Sequence, residues 1–493
     1  MRCAENTPDQ LAIQHGEIRW SFAELDAQAT HLARQLASLG IHEQTRVAVL
    51  AHNGLPYVTC VHALTRLGAI MVPLNIRLTA EEHIWQIQDV NATVLLSDAQ
   101  HNTRVEAIKQ ALPQLHYGTI NLEQTTQNVT LQNQPETDVI LRHLINLNDT
   151  QAIMYTSGTT GNPKGVIITY TMQWWSAIGS ALNLGHHRDD CWLACMPLFH
   201  VGGLSILMRS VINGISIIVQ EKFDPQAVNK AIRENRVTII SVVAIMLQRM
   251  LSALDDAGEQ YPETLRCVLL GGGPAPRPLL ENCAARSIPV VQTYGLTESC
   301  AQAVTLSPAD ALRKLGSAGR PLAQVQLRIM NENTIAAAAE AGTIYLKGPS
   351  ITAGYDHRPE ATAQTIHDGW LATGDIGYVD QEGYLYVLDR RSDLIISGGE
   401  NVYPAEIEAV LLSHPDVEEA GVCGQVDPQW GQVPIAFIHW KAGSLTTEEQ
   451  LLTYAAQRLA RYKQPKAVYS LEQLPRNSAG KLLRRNLTQF LPE

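Results

Sequence analysis

The run Tyr155-Thr156-Ser157-Gly158-Thr159-Thr160-Gly161-Asn162-Pro163-Lys164-Gly165 concentrates hydroxyls, glycines and one lysine between two short apolar stretches. Residues of these types make a loop that can hold phosphate. Gly158, Gly161 and Gly165 open backbone angles closed to other residues, so successive N–H groups can converge on one anion. Thr156, Ser157, Thr159 and Thr160 add hydroxyl donors, and Lys164 adds a mobile positive charge. The run is not a Walker A loop, which needs Gly-Lys followed by Ser or Thr and then a helix. Lys164 instead follows Pro163 and precedes Gly165. The flanks at 153–155 and 166–168 read as strands, so the loop is expected to cap a hairpin. A flexible Gly/Thr surface turn is the alternative, and the loop alone supports phosphate binding without specifying a reaction.

Composition narrows the phosphate's owner. The chain has 493 residues, of which 45% are hydrophobic. That is enough for two or more domains with filled cores. A net charge of -11 argues against nucleic-acid backbone binding, which gathers basic residues on one face, so a small molecule's phosphate is expected. The eight cysteines are scattered, and Cys191 and Cys195 lack neighbours at zinc-site spacing, so reduced, packing thiols are expected. Residues 1–10 carry Glu5 and Asp9 and lack the apolar core of a secretory signal. The apolar stretch at 239–251 is interrupted by Gln248 and Arg249 and is too short to span a bilayer. A cytoplasmic protein is the expectation.

Helix and strand signals alternate through most of the length, as in an α/β protein. From Phe22 onward, Leu25, Ala29, Leu32, Leu36 and Leu39 share a helical face, Ser21 with Glu24 resembles a capping box, and Gly40 can close the helix. A strand at 47–50 follows. Helix and strand pairs recur at 58–67 with 69–73 and at 225–235 with 237–243. At 388–393 a charged run reads as a break, with a Gly-rich turn at Ser397-Gly398-Gly399 beyond it. Pro404 then opens a helix with Ile407, Val410 and Leu411 inward, stopped by His414-Pro415. Thr447 with Gln450 resembles a capping box for a helix running toward Tyr462. Domains are therefore expected at 1–391 and 392–493, the second a small α+β unit.

Four further segments follow the loop in order: Tyr294-Gly295-Leu296-Thr297-Glu298, Thr373-Gly374-Asp375, the stretch from Arg390 to Pro404, and Pro475-Arg476-Asn477-Ser478-Ala479-Gly480-Lys481. With them the whole chain resembles the adenylate-forming superfamily of acyl- and aryl-CoA synthetases, peptide-synthetase adenylation domains and luciferases. The resemblance implies a large, multi-subdomain N-terminal domain of sheets flanked by helices and a small mobile C-terminal lid. It also implies ATP, Mg²⁺ and CoA as cofactors or co-substrates. A carboxylate would attack the α-phosphate of ATP, and a thiol would then displace AMP from the acyl-adenylate.

Residue roles follow by resemblance. Residues of the 155–165 loop would hold the departing phosphates, Thr297 would contact the α-phosphate, and Glu298 would help hold Mg²⁺. Gly272, Gly273, Pro274, Tyr294 and Gly295 would surround the nucleotide, with Tyr294 stacked on adenine. Asp375 would take the ribose hydroxyls with Arg390; alone, such an aspartate also reads as a turn cap. Lys481 would follow charge from carboxylate to α-phosphate; its other reading is a surface lysine beside Arg484 and Arg485. Ser392 occupies the hinge position where many relatives have Asp or Lys, and Gly399 would line the pantetheine tunnel.

Segments at 196–205, 269–276, 306–308, 314–319 and 389–393 look like the o-succinylbenzoate-CoA ligase branch, which serves menaquinone and phylloquinone biosynthesis. Its substrate has two carboxylates, so one must be recognised without being activated, best by a cation beside an apolar pocket. Arg209 is the candidate cation, with an arginine on a helix surface as the alternative. His200 would line or gate the acyl site with Gly271 nearby, or be a packed core histidine. Other expected possibilities are a different acyl- or aryl-CoA synthetase, an enzyme loading a carrier protein, and a nucleotide-binding regulator of the same fold. Oligomeric state stays open, a homo-oligomer included.

Overall fold

The computed structural model describes residues 2–492 except 157–162, 274, 333, 391–392, 398–399, 429, 460 and 478–479; for Pro308, Arg390, Glu400 and Asn401 it describes the backbone alone. Two large sheets form the N-terminal part. The first has nine strands with a parallel centre, Val290–Tyr294, Cys267–Leu270, Ile239–Val242, Cys191–Ala194, Ser216–Val219 and Leu11–His15 in spatial order. The second has seven, with a parallel core of His116–Leu122, Val94–Ser97, Arg46–Leu50, Ile70–Pro73 and Thr150–Thr156.

Strand side chains alternate between faces, and this alternation builds the layers. Val47 and Val49 of the second sheet, with Trp192 and Ala194 of the first, share one core with the helices Phe22–Ser38, Leu55–Leu67 and Val201–Asn213. Ala48 and Leu50 point the other way, into a separate core. Cys191 and Leu193 likewise enter a core under the helices Pro225–Glu234 and Ala244–Asp256. The result is helices, sheet, helices, sheet, helices. An antiparallel third sheet contains Gly342–Lys347, Trp370–Val379 and Leu385–Arg390.

The C-terminal part is an α+β unit around a sheet whose central hairpin pairs Val417–Asp427 with Gly431–Trp440. Ala436 and Ile438 face the helices Pro404–Leu412 and Glu448–Ala456, while Ile435 and Phe437 face Leu474 and Leu487. The large α/β part and small α+β part have the expected fold class.

Local signals are realised closely. Ser21 and Thr447 head reciprocal capping boxes with Glu24 and Gln450, and the Gly40 N–H closes the first helix on the Ala37 carbonyl. Two readings need correction. The charged run does not break at 388: Asp389 and Arg390 continue a strand, in register with Ile376 and Asp375. The helix expected to run toward Tyr462 spans Glu448–Ala456 and stops short of it in the sequence. Strand pairing and the lid's packing override the local charge and helix signals there. Among the described residues, no helix is long and apolar enough to cross a membrane.

Candidate active site

Parallel strands deliver their following residues to one edge, and in open α/β sheets that carboxyl edge is where ligands bind. In the first sheet Val242 is in register with Leu270, and Leu270 with Gln292. The aligned ends bring Val243, Gly271 to Gly273, and Gly295 to Glu298 side by side. A Cβ on Gly272, whose φ is +80°, would stand 2.9 Å from Val243 Cγ1, and one on Gly271 would stand 3.1 Å from Thr293 Cγ2. Gly273 would meet nothing within 4 Å. Gly272 is thus required by both angle and space, whereas Gly273 leaves open room at the cleft.

The Thr297–Ser299 turn is pinned from within. The Ser299 hydroxyl accepts from the Leu296 N–H at 2.8 Å, and a Cβ on Gly295 would overlap the Ala301 carbonyl at 1.6 Å. Cys300 and Ala301 follow with φ of 55° and 79°, a left-handed pair without glycine. Such strain persists only where surrounding contacts over-determine it, and here the Cys300 and Ala301 N–H groups donate back to the Thr297 and Leu296 carbonyls at 3.0 and 3.2 Å.

The second sheet brings the hairpin at Thr150–Thr156 and Lys164–Thr169 to the same place. Thr150–Thr156 pairs antiparallel with Lys164–Thr169, and Thr156 is opposite Lys164, so the run does cap a hairpin. Ser157, Gly158, Thr159, Thr160 and Gly161 lie outside the described residues, as do Pro274, Ser392 and Gly399. At the hairpin's base the Tyr155 hydroxyl donates to Asp89 Oδ2 at 2.8 Å; burial, then Asp89, holds this phenol protonated far above its usual range.

A connector unnoticed in the sequence joins this hairpin to Glu298. The Tyr355 hydroxyl donates to Glu298 Oε1 at 3.1 Å, the Thr352 N–H donates to the Glu298 carbonyl at 2.8 Å, and the Asp356 N–H donates to the Gly165 carbonyl at 2.8 Å. Lys164 Nζ lies 5.2 Å from the Tyr355 ring centre, within cation–π range. One side chain therefore touches both the lysine and the carboxylate. No local pattern around Tyr355 marks it, since its partners are more than fifty residues away.

On the third sheet, Asp375 is buried, and its Oδ2 accepts from the Tyr294 hydroxyl at 2.7 Å. Its backbone register partner is Arg390. The Thr373 hydroxyl accepts from the Asp375 N–H at 3.1 Å, so Thr373 caps this turn. Tyr294 and Asp375, eighty-one residues apart, are thereby one unit.

The Pro475 to Lys481 segment comes from the C-terminal part. Asn477 ties it into a tight turn by accepting from the Lys481 N–H at 2.8 Å, and Arg476 donates to the Gly480 carbonyl at 2.8 Å. A Cβ built on Gly480, at φ +79°, would stand 3.5 Å from Val243 and 3.9 Å from Ile245. The turn thus rests on the same valine that Gly272 approaches. Lys481 itself is exposed.

Arg209 departs from its surface reading. It is 2% exposed in the helix Val201–Asn213, stacks 5.1 Å above the Trp192 ring, and donates to the Ser176 hydroxyl at 3.2 Å. Ser176 in turn donates to the Cys300 carbonyl at 2.7 Å, placing the guanidinium directly behind the Thr297–Ser299 turn. Burial pushes the Arg209 pKa down to about 10, still a full cation at neutral pH, and its buried Nε–H has no hydrogen-bond partner among the described residues. His200 begins the same helix, half-buried against Phe199, its ring centre 4.6 Å away. Burial, with the Arg77 charge adding, pushes its pKa down to about 4, so the imidazole is neutral.

The donor chemistry fits Mg²⁺. Glu298 would supply a hard carboxylate oxygen beside the hairpin that carries Lys164, and Tyr355 orients it.

The model of the AMP-binding enzyme family matches residues 1–356, and that of the AMP-binding enzyme C-terminal domain matches 406–481. A 2-succinylbenzoate–CoA ligase from Geobacillus sp. strain WCH70 is 51% identical, covering 100% of this chain and 97% of the relative. The o-succinylbenzoate CoA synthetase of Bacillus subtilis, solved with the acyl-adenylate intermediate OSB-AMP, superposes with a TM-score of 0.89 at 40% identity, over 99% of this chain and 97% of that one. The same enzyme solved with ATP and a magnesium ion gives 0.89 at 41% identity, over 99% and 98%. Family models spanning both parts and relatives aligned from end to end agree with the shared cleft edge: the chain belongs to the AMP-binding, adenylate-forming enzyme family.

Proposed function

We propose that this chain is an AMP-forming acid–thiol ligase that joins o-succinylbenzoate to CoA at the expense of ATP, through an acyl-adenylate, in menaquinone or phylloquinone biosynthesis. The observation that carries the reading is convergence at one sheet edge: Gly272 and the turn before Lys481 both approach Val243, the neighbouring strand ends in Tyr294 with Asp375 on its hydroxyl, Glu298 follows it, and the buried Arg209 cation stands behind the Thr297–Ser299 turn. The relatives' names supply the substrate, and Arg209 supplies a reason for it.

In the first half-reaction the substrate carboxylate attacks the α-phosphate and pyrophosphate leaves. Negative charge crowds around phosphorus, and donors fixed before reaction stabilise it. Lys164 and the 155–165 loop face the departing phosphates, Thr297 the α-phosphate, and Lys481 the charge passing from carboxylate to phosphorus. Glu298 would hold Mg²⁺, which would supply positive charge against the phosphates. Tyr294 packs on adenine while its hydroxyl holds Asp375, the carboxylate that takes the ribose hydroxyls together with Arg390. In the second half-reaction the CoA thiol displaces AMP, with the lid, residues 392–493, turning about Ser392 to bring Gly399 to the pantetheine path. His200, neutral at physiological pH, can border an apolar acyl site without charge. An enzyme of this kind works in the cytoplasm.

The test is pyrophosphate release and CoA-ester formation with o-succinylbenzoate, benzoate and a medium-chain fatty acid. The expected order has o-succinylbenzoate far ahead, because its second carboxylate gains a charge-assisted contact of about 1.5–3 kcal/mol that the others lack. A better rate with either competitor would overturn the substrate and leave only a general acid–CoA ligase.

A further inference from the structure

His52, Asp98 and His101 gather at the carboxyl edge of the second sheet and have no part in the chemistry described above. Leu50 and Ser97 are register partners, so the residues following each strand emerge together. Asp98 Oδ2 accepts from the His52 N–H at 2.7 Å and lies 2.9 Å from His52 Nδ1. Asp98 Oδ1 accepts from the Gln100 N–H at 3.1 Å and caps the single turn Ala99–His101. That turn folds His101 back over His52, the two rings 4.5 Å apart and within 5° of parallel.

His101 is 8% exposed, and its Nε2 has no hydrogen-bond partner among the described residues. It faces Asp98 Oδ1 at 3.9 Å, beyond hydrogen-bonding distance. A nitrogen removed from water and aimed at a carboxylate it does not reach has lost solvation without compensation. The neighbouring Arg104 guanidinium donates to the Ile76 carbonyl.

We propose that His52, Asp98 and His101 bind one divalent cation of the zinc class, at a site separate from the nucleotide's magnesium. One ligand atom from each residue lies within 4.8 Å of the others. A tetrahedral ion with bonds of about 2.0–2.1 Å needs its donors about 3.3 Å apart, so the two stacked rings must tilt out of parallel to turn a nitrogen each onto one ion, with a fourth position left for water. Two imidazoles with one carboxylate favour zinc-class ions over Mg²⁺, which prefers oxygen throughout.

The site's place in the fold gives it a structural consequence. His52 is followed by Asn53, whose amide donates to the Met196 carbonyl at 2.9 Å and to the Gln220 carbonyl at 3.2 Å, and whose oxygen accepts from the Leu198 N–H at 2.9 Å. A cation fixing His52 would therefore brace the corner that joins the two large sheets under the 196–205 segment.

The full chain, stripped with a chelator and titrated with ZnCl₂ without nucleotide or Mg²⁺, should bind one equivalent and unfold at a higher temperature. Co²⁺ should give the visible absorption of a tetrahedral site. His52→Gln, His101→Gln and Asp98→Asn should each weaken zinc at least tenfold and abolish the cobalt spectrum; asparagine can still cap the turn, so Asp98→Asn separates ligation from folding. Glu298→Gln should leave zinc binding intact. Substoichiometric zinc, or stoichiometric zinc unaltered by all three substitutions, would overturn the site.

Discussion

Tyr355 connects the two sides of the proposed phosphate site, with its ring under Lys164 and its hydroxyl on Glu298. Tyr355→Phe keeps the ring and removes the hydroxyl, so the Mg²⁺ concentration for half-maximal rate should rise about five- to tenfold with little change in Tm. An unchanged Mg²⁺ dependence would separate Tyr355 from the metal. Lys481 acts only on the first step in the proposed mechanism. Lys481→Ala should slow adenylation on the order of 10²-fold or more while supplied acyl-adenylate is still converted by CoA; equal losses in both half-reactions would contradict the role. Arg209→Ala should lower kcat/KM for o-succinylbenzoate while changing benzoate little, narrowing their ratio by about tenfold or more. An unmoved ratio would leave Arg209 as packing against Trp192.

The helix Ala80–Asp89 depends on protonation state. His83 is fully buried, its Nε2 bonds the Asn75 carbonyl at 2.9 Å, and its Nδ1 has no hydrogen-bond partner among the described residues. Burial pushes its pKa from 6.5 to about 4, outweighing the raising effect of Asn75. The unfolded chain therefore binds more protons between those values. Stability from this group is complete above pH 6.5 and is lost as the pH falls toward 4. The full effect corresponds to roughly 3 kcal/mol. Denaturant midpoints measured from pH 7.5 to 4 should fall, and His83→Asn should flatten part of that slope. The same slope in parent and variant would assign the acid sensitivity elsewhere. The strained turn after Ser299 obeys a different constraint: Gly295 cannot be replaced there without displacing the Ala301 backbone.

At the scale of the molecule, four charged groups bridge the proposed boundary at 391/392. Arg484 donates to Asp389 at 2.6 Å and to Glu408 at 2.6 Å, with Asp393 at 3.3 Å. Asp389 also accepts the Ala405 N–H at 3.0 Å, anchoring the start of the helix Pro404–Leu412. A lid turning about Ser392 would have to rearrange these contacts. Arg484→Met leaves buried carboxylates without their cation and should cost about 3–5 kcal/mol of stability by denaturant unfolding. Asp389→Asn keeps an acceptor for Ala405 and should cost less. It should slow adenylation more than thiolation, because the contacts belong to the arrangement in which the Lys481 turn rests on Val243. Equal slowing of the two half-reactions would refute that coupling.

Much of this protein was legible along the chain because the signals are local. Hydroxyls and glycines between two β-formers indicate a phosphate hairpin, Ser21 and Thr447 announce their helices through the third residue onward, and alternating apolar periods indicate an α/β fold. The ordered motifs carried the family, since each keeps its chemistry within a few residues. What the tertiary structure decided involves partners far apart in sequence. Arg209 read more readily as a helix-surface arginine than as a pocket cation until two sheets and Trp192 enclosed it. Tyr355 met Glu298, and Asp98 brought His101 over His52, only through sheet register and the packing of distant strands. The charged run at 388–390 became a strand because Trp370–Val379 offered backbone partners that outweighed its local preference. Local composition encodes propensity and short-range capping, whereas burial and side-chain encounters depend on how the whole chain closes its cores.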